Sequence, residues 1–445
     1  MLGNENIVHN VYFCCSKSES KKNELYNIQK ICDQFSSIHI ISDSLFIDFF
    51  NSLKGYLSIK THLETDYSML IEKILIYIYG QIDYTTTVRL IQVIKELTAI
   101  KIKPKYRIFL EKIIVWAESL LYISDMEINI CSVELLTKIC GISKEYFEII
   151  IEILPVCQLH HVVTSVNNDE LQKCCIVLAQ NYSKNCDFIT QEECMEYFGI
   201  IAYVFENSNN PTSIASSLYL IHFIAKKNSC WVTFMNHFHL LNTINEKIIY
   251  IKNTRIKVSA LKVLADAFNA NLCVSCINID AIMSLLIHHQ NQIQNAAIGC
   301  ICNCINKNNN YLEVLLENGL IDKLLFIVEN GSHKAKIKVI MMLESIVKLI
   351  EPEFILSIIQ SGFIGLVLST LEGTDEKISP SICDTLFIMI NKLTRIGQEQ
   401  SLIMILEESN IMNFLEERVF SDKEIESEIV ECLFEKIRFL RGNNC

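Results

Sequence analysis

The stretch Ile293 to Gly331, IQNAAIGCICNCINKNNNYLEVLLENGLIDKLLFIVENG, constrains the fold more than any other part of the chain. Ile293, Ala296, Ala297, Cys300, Ile301, Cys304 and Ile305 recur at offsets of three and four, which on a 3.6-residue turn makes one apolar stripe of a helix. The polar run Asn306 to Asn310 stops that helix, a short apolar helix follows to Glu317, and Gly319 makes a corner before a second apolar run from Leu320 to Val328. Asn330-Gly331 closes the unit. Three helices around two corners cannot bury their apolar sides alone, so the unit must stack on others like itself. The others keep step: Ser361-Gly362 follows Asn318-Gly319 by 43 residues, and Gly373 follows Gly331 by 42. A repeat near forty-two residues lies in the armadillo and HEAT range.

In that register the long helix of each repeat ends near Ile139, Tyr182, Ala225, Ala267, Cys304, Ile346 and Lys392. The clearest repeats run over 126–440. Upstream, TTTVRLIQVIKELT (85–98) sets Val88, Ile91, Ile94 and Leu97 on one side of a helix, and Tyr106 to Tyr122 reads as another amphipathic segment after Pro104. The final helix, Lys423 to Leu440, has Ile425, Ile429, Leu433 and Ile437 on one face and Glu424, Glu428, Glu431 and Glu435 on another, as a capping helix requires. Residues 1–35 are the least periodic and form a polar N-terminal segment expected to be mobile, and 36–441 form the helical repeat domain. The expected fold class is all-α: a right-handed superhelical solenoid of armadillo-type, ARM/HEAT-like, helical repeats.

Composition narrows the partners. With 13 Gly and 5 Pro in 445 residues there is little material for hairpin turns. A net charge of −12 disfavours the phosphate backbone of nucleic acid and suits a basic protein or peptide segment, although mild acidity also serves solubility alone. The odd count of 19 cysteines, scattered through apolar stripes, points to reduced thiols, and MLGNENIVHN has neither the basic start nor the apolar core of a secretory leader. The apolar runs are too short to span a bilayer. No membrane partner is expected.

The residues AAIGCICNCI (296–305) resemble the long third helix of the armadillo pattern, with its alanine pair and its asparagine, here Asn303. SGFIGLVLSTLEGTDEKI (361–378) and SNIMNFLEERVFSDKEIESEIVECLFEKIRFL (409–440) resemble the last full repeat and the terminal half repeat of the importin-α family. That resemblance implies an extended basic peptide, such as a nuclear localisation signal, held in a concave groove by asparagine amides, with aromatic rings one turn earlier stacked on lysine stems. It also implies importin-β-like or export factors as further partners, and a cytoplasmic and nuclear location.

Carried over in register, the asparagine position reads Lys138, Asn181, Phe223, Asp266, Asn303, Ser345 and Asn391, and the aromatic position four residues earlier reads Glu134, Val177, Tyr219, Lys262, Gly299, Met341 and Phe387. The candidate groove residues are therefore Asn181, Asn303, Asn391, Tyr219, Phe387, Glu134 and Asp266. The chain departs from the family where it counts: no tryptophan stands in the aromatic ladder, Lys138 and Lys262 would repel a basic peptide if they face the groove, and residues 1 to 60 hold no basic arm. A generic armadillo scaffold for cytosolic protein contacts, without transport, is the alternative.

Nothing points to catalysis or to a cofactor. Cys273-x-x-Cys276 lacks the second pair a zinc site needs, since Cys300 and Cys304 belong to a helical stripe. The histidine clusters His160-His161, His237-Phe238-His239 and His288-His289 stand in no HExxH arrangement, and neighbours on a helix point about 100° apart. No phosphate loop, dinucleotide turn or nucleophile elbow occurs, and the expectation is a non-enzymatic adaptor.

Overall fold

The computed structural model of the protein describes positions within 46–53, then 68–80, 83–98, 107–270, 277–307, 310–362, residue 365, 379–408 and 427–442. Every element among these residues is helical. The expected polar segment 1–35, Pro104, the Cys273–Cys276 pair, the strip 366–378 and the first part of the expected last helix lie outside the described residues. The chain divides into two compact units, Met1–Asn228 and Ser229–Cys445.

The first unit contains α1 (Ser68–Tyr79), α2 (Tyr84–Leu97), α3 (Arg107–Ser119) with a 3-10 turn at Leu120–Tyr122, α4 (Met126–Cys140), α5 (Lys144–Ile153), α6 (Val156–Ser165), α7 (Asp169–Asn185), α8 (Gln191–Asn207) and α9 (Pro211–Ala225). The long helices α2, α4, α7 and α9 pack side by side in that order. Helices α5, α6 and α8 cover their other side. Starts are set by side chains that accept from the orphan amides of the first turn: Asp83, Asp125, Ser143, Asn168 and Asn210 each do so, and Thr190 with Glu193 forms a capping box before α8. The stripe expected on α2 is real, with Val88, Ile91, Ile94 and Leu97 all buried.

The second unit contains α10 (Trp231–His237), α11 (Leu240–Tyr250), α12 (Thr254–Asn269), α13 (Ile279–Leu285), α14 (Asn291–Lys307), α15 (Asn310–Glu317), α16 (Leu320–Asn330), α17 (His333–Leu349), α18 (Pro352–Gln360), α19 (Ser379–Thr394), α20 (Glu399–Glu408) and α21 (Ser427–Gly442). Helices α12, α14, α17, α19 and α21 form its row. The stretch that opened the sequence reading folds as α14, α15 and α16, with Gly319 at φ +75 in the corner and Gly362, one repeat on, at φ +75 as well. Only glycine takes that backbone without a steric cost. His239, which opens α11 at φ 52, holds the left-handed corner without that freedom. On α21, Leu433 and Ile437 are buried while Glu431 and Glu435 face solvent, as a terminal helix needs. Each unit is thus a stack of helical repeats, and the all-α repeat fold expected from the sequence is the one found.

A recurrent strap joins neighbouring repeats. The last carbonyls of an α-helix have no partner within it and carry the negative end of its dipole, so a cation placed there is bound well. Lys138 donates to the Lys95 carbonyl at 3.2 Å, Lys227 to those of Ser183, Lys184 and Cys186 at 2.6, 2.9 and 2.5 Å, and Lys392 to those of Lys348 and Ile350 at 3.0 and 2.6 Å. Replacing Lys227 with methionine keeps the stem and removes the ammonium. Unfolding of the full chain should then show a loss of about 1–3 kcal/mol, the worth of charged hydrogen bonds left unmade. An unchanged midpoint would mean that water serves the α7 carbonyls as well as Lys227 does.

Candidate peptide-binding face

On the long helices the burial pattern leaves one strip open to solvent, and the register read from the sequence falls on it. Glu134 and Lys138 on α4, Val177 and Asn181 on α7, and Tyr219 and Phe223 on α9 are half-buried or exposed. The same holds for Lys262 and Asp266 on α12, Gly299 and Asn303 on α14, Met341 and Ser345 on α17, and Phe387 and Asn391 on α19. Because positions i and i+4 share a helix face, each pair makes one rung on the open side of its unit.

The rungs are tied to one another rather than idle. Asn181 Nδ2 donates to the Thr137 carbonyl of α4 at 3.3 Å, and Asn303 Nδ2 donates to the Ala265 carbonyl of α12 at 3.2 Å. Each asparagine thereby gives one of its two amide N–H donors to the preceding repeat. Half-buried Asn391 occupies the same place on α19.

In the first unit a cavity of about 390 Å³ opens on this side, lined by Lys95, Glu96, Glu134, Thr137, Lys138, Lys173, Cys174 and Val177. Its charges are largely matched internally: Lys95 pairs with Glu134, and Lys173 pairs with Glu170 at 2.5 Å. The Cys174 thiol lies 3.9 Å from Glu134 and is pushed up to about 12, by burial first and then by the Glu134 and Glu170 carboxylates. Glu134, Glu170 and Cys174 offer atoms within 4.8 Å of one another, the spacing of a metal ligand set. A thiol so reluctant to ionise, beside carboxylates already held by lysines, is poorly suited to the task. Of these residues only Glu134 was expected from the sequence; Lys95, Lys173 and Cys174 were not, although their separations of 39 and 40 residues from Glu134 lie close to the repeat period.

In the second unit the open side differs in charge. Helix α14 carries no charged residue from Asn291 to Asn306 and presents Gln292, Asn295, Ala296, Gly299 and Asn303, while α12 and α17 flank it with Arg255, Lys262, Lys334 and Lys338. Lys338 leans over the glycine: its Nζ donates to the Asn295 carbonyl at 2.9 Å and lies 3.8 Å from where a Gly299 Cβ would sit. The lysines that would repel a basic peptide therefore do stand on the open side.

The thiols of Cys300 and Cys304 are fully buried and raised by that burial, Cys304 to about 12, which marks inert core positions. The described cysteines are all free. His160 faces Glu196 at 2.6 Å and His288 stacks on His289 with ring centroids 4.4 Å apart. Among the described residues no single helix is long and apolar enough to cross a membrane, although α5 and α6, bent by 63°, would together meet the length and composition.

No family model matches the chain, and no curated protein sequence matches it either. Solved structures do. The crystal structure of an engineered protein superposes with a TM-score of 0.73 at 14% identity, covering 93% of this chain and 99% of its own. A designed armadillo repeat protein in complex with the peptide (KR)4 is 14% identical with a TM-score of 0.47, covering 52% of this chain and 99% of that one. At 14% identity the first of these, with its TM-score of 0.73, shows a likeness of fold alone.

Proposed function

We propose that the protein is a non-enzymatic armadillo-repeat scaffold that holds extended segments of other proteins along the open side of its long helices. One observation carries this reading: within each unit the rung positions recur on the solvent-facing strip of successive long helices, α4, α7 and α9 in the first and α12, α14, α17 and α19 in the second. A strand laid across such a row meets a new helix every 8–10 Å, about three residues of extended chain, so side-chain contacts add up with length. Amides at Asn181, Asn303 and Asn391 suit a peptide backbone, which offers donors and acceptors alike.

The finer role implied by the sequence resemblance, carriage of lysine-rich signals for nuclear import between cytoplasm and nucleus, is the second reading. It draws on Tyr219, Phe387, Glu134 and Asp266 at rung positions, and the lysines among the rungs speak for the broader scaffold.

Selection of random peptides on the full-length protein tests the broader reading. Enriched peptides are expected to lose roughly fivefold or more in affinity with Tyr219→Ala or Met341→Ala, each removing an apolar contact worth about 1 kcal/mol. Met341 is 57% exposed, so its truncation leaves the core intact. Absence of enrichment, or affinities indifferent to both changes, would overturn the proposal. Salt-sensitive binding of a lysine-rich signal peptide would single out the import reading.

A further inference from the structure

We infer that the open side of α12, α14 and α17 takes an acidic extended segment of a partner protein, its carboxylates seated over Gly299 beside Lys334 and Lys338. The inference rests on the scaffold reading above and adds the chemistry of the occupant.

Charge complementarity is the argument. A chain with net charge −12 would be expected to show acidic helix surfaces, yet here Arg255 and Lys262 on α12, with the one carboxylate of Asp266, and Lys334 and Lys338 on α17 flank a helix that carries no charge from Asn291 to Asn306. Burial, and then the ammonium groups of Lys334 and Lys262, hold the Lys338 ammonium below its ordinary value. Among the described residues no carboxylate pairs with Lys334 or Lys338. Lys338 is bound only through a carbonyl, which leaves its charge uncancelled. A visiting carboxylate relieves that repulsion, and the relief is greater here than at a solvated surface because Lys338 is partly desolvated.

The floor decides the shape of the occupant. Where the other rungs carry a side chain, α14 has Gly299, with Ala296 one turn before, so a backbone can approach the helix closely. The neutral amides of Gln292 and Asn303 flank that approach and match peptide groups. Nucleic acid is also polyanionic, but single strands bind by stacking bases on aromatic rings, and the open positions of α12, α14 and α17 hold no Phe, Tyr or Trp. A protein segment rich in Asp and Glu fits both floor and walls.

The test uses the full chain and labelled probes: an oligoglutamate peptide, a neutral Gly-Ser peptide of equal length, an oligolysine peptide and single-stranded RNA. Oligoglutamate is expected to bind, and its affinity should fall as salt shortens the Debye length below about 10 Å. Lys334→Glu, at an exposed position, should weaken it roughly tenfold, the scale of one close charge contact reversed. Lys336→Glu changes net charge equally on the other side of α17 and should change little. Equal effects of the two substitutions, tighter binding of RNA, or no binding of oligoglutamate would each overturn the inference. The scaffold reading fails separately, since it survives if the selected peptides prove neutral or basic.

Discussion

Truncation of Tyr182 to alanine is expected to cost the first unit about 3–5 kcal/mol, the range for losing a large ring from a closed core. Tyr182 sits in α7 with no exposed surface; its ring meets Phe147 of α5 edge-on at 6.0 Å, and its hydroxyl donates to the Leu154 carbonyl at 3.0 Å. The residue therefore does two jobs at the junction of α5, α6 and α7: it fills the space between them, and it satisfies the carbonyl that ends α5, an orphan acceptor with no further turn to serve it. Tyr182→Phe separates the two. It keeps the volume and strands the carbonyl, so about 1–2 kcal/mol of the loss should appear there. With roughly 2–4 °C per kcal/mol in a body of this size, the alanine variant should melt about 10 °C lower by calorimetry. Equal melting of Tyr182→Ala and the parent would show that the helices close over the gap.

The second large effect concerns Gly199, midway along α8, where glycine is a poor helix former. A Cβ added there would lie 2.5 Å from Cε1 and 2.8 Å from Nε2 of His160, an approach no real pair makes. The imidazole of α6 occupies the space a side chain would take, pinned by Glu196 at 2.6 Å. Gly199→Ala should therefore cost about 1–3 kcal/mol, as overpacking does, even though alanine favours the helix by about 1 kcal/mol. In a His160→Ala background the space is empty, and the same substitution should change sign and stabilise. A cycle of the two variants followed by denaturant unfolding measures this directly. Additive effects would mean that the ring and the glycine are not matched to each other.

Local order was largely legible. The offsets of Ile293 to Ile305, the Asn306–Asn310 stop and the Gly319 corner are each enforced within one turn of helix or one loop, so the bare chain displays them, and α14, α15 and α16 follow. The rung register was legible for the same reason, because it is helical phase plus a period. What pairs across repeats was not. His160 with Glu196 and Gly199, Tyr182 with Leu154, and the charges around Glu134 depend on which faces meet and how long side chains lie, and a sequence of amphipathic helices leaves many such meetings open. The charge of the second unit's open side was hidden differently: a net charge of −12 is a sum over all surfaces, and a sum does not tell where the cations gather.

The lysine straps bear on how such a chain can change over time. Lys138, Lys227 and Lys392 fasten one repeat to the preceding one by gripping main-chain oxygen, which every residue type supplies in the same place. The gripped partner is free to mutate without loosening the grip, and only the one lysine must be kept. An architecture fastened in this way can drift far in sequence while its helices stay in line.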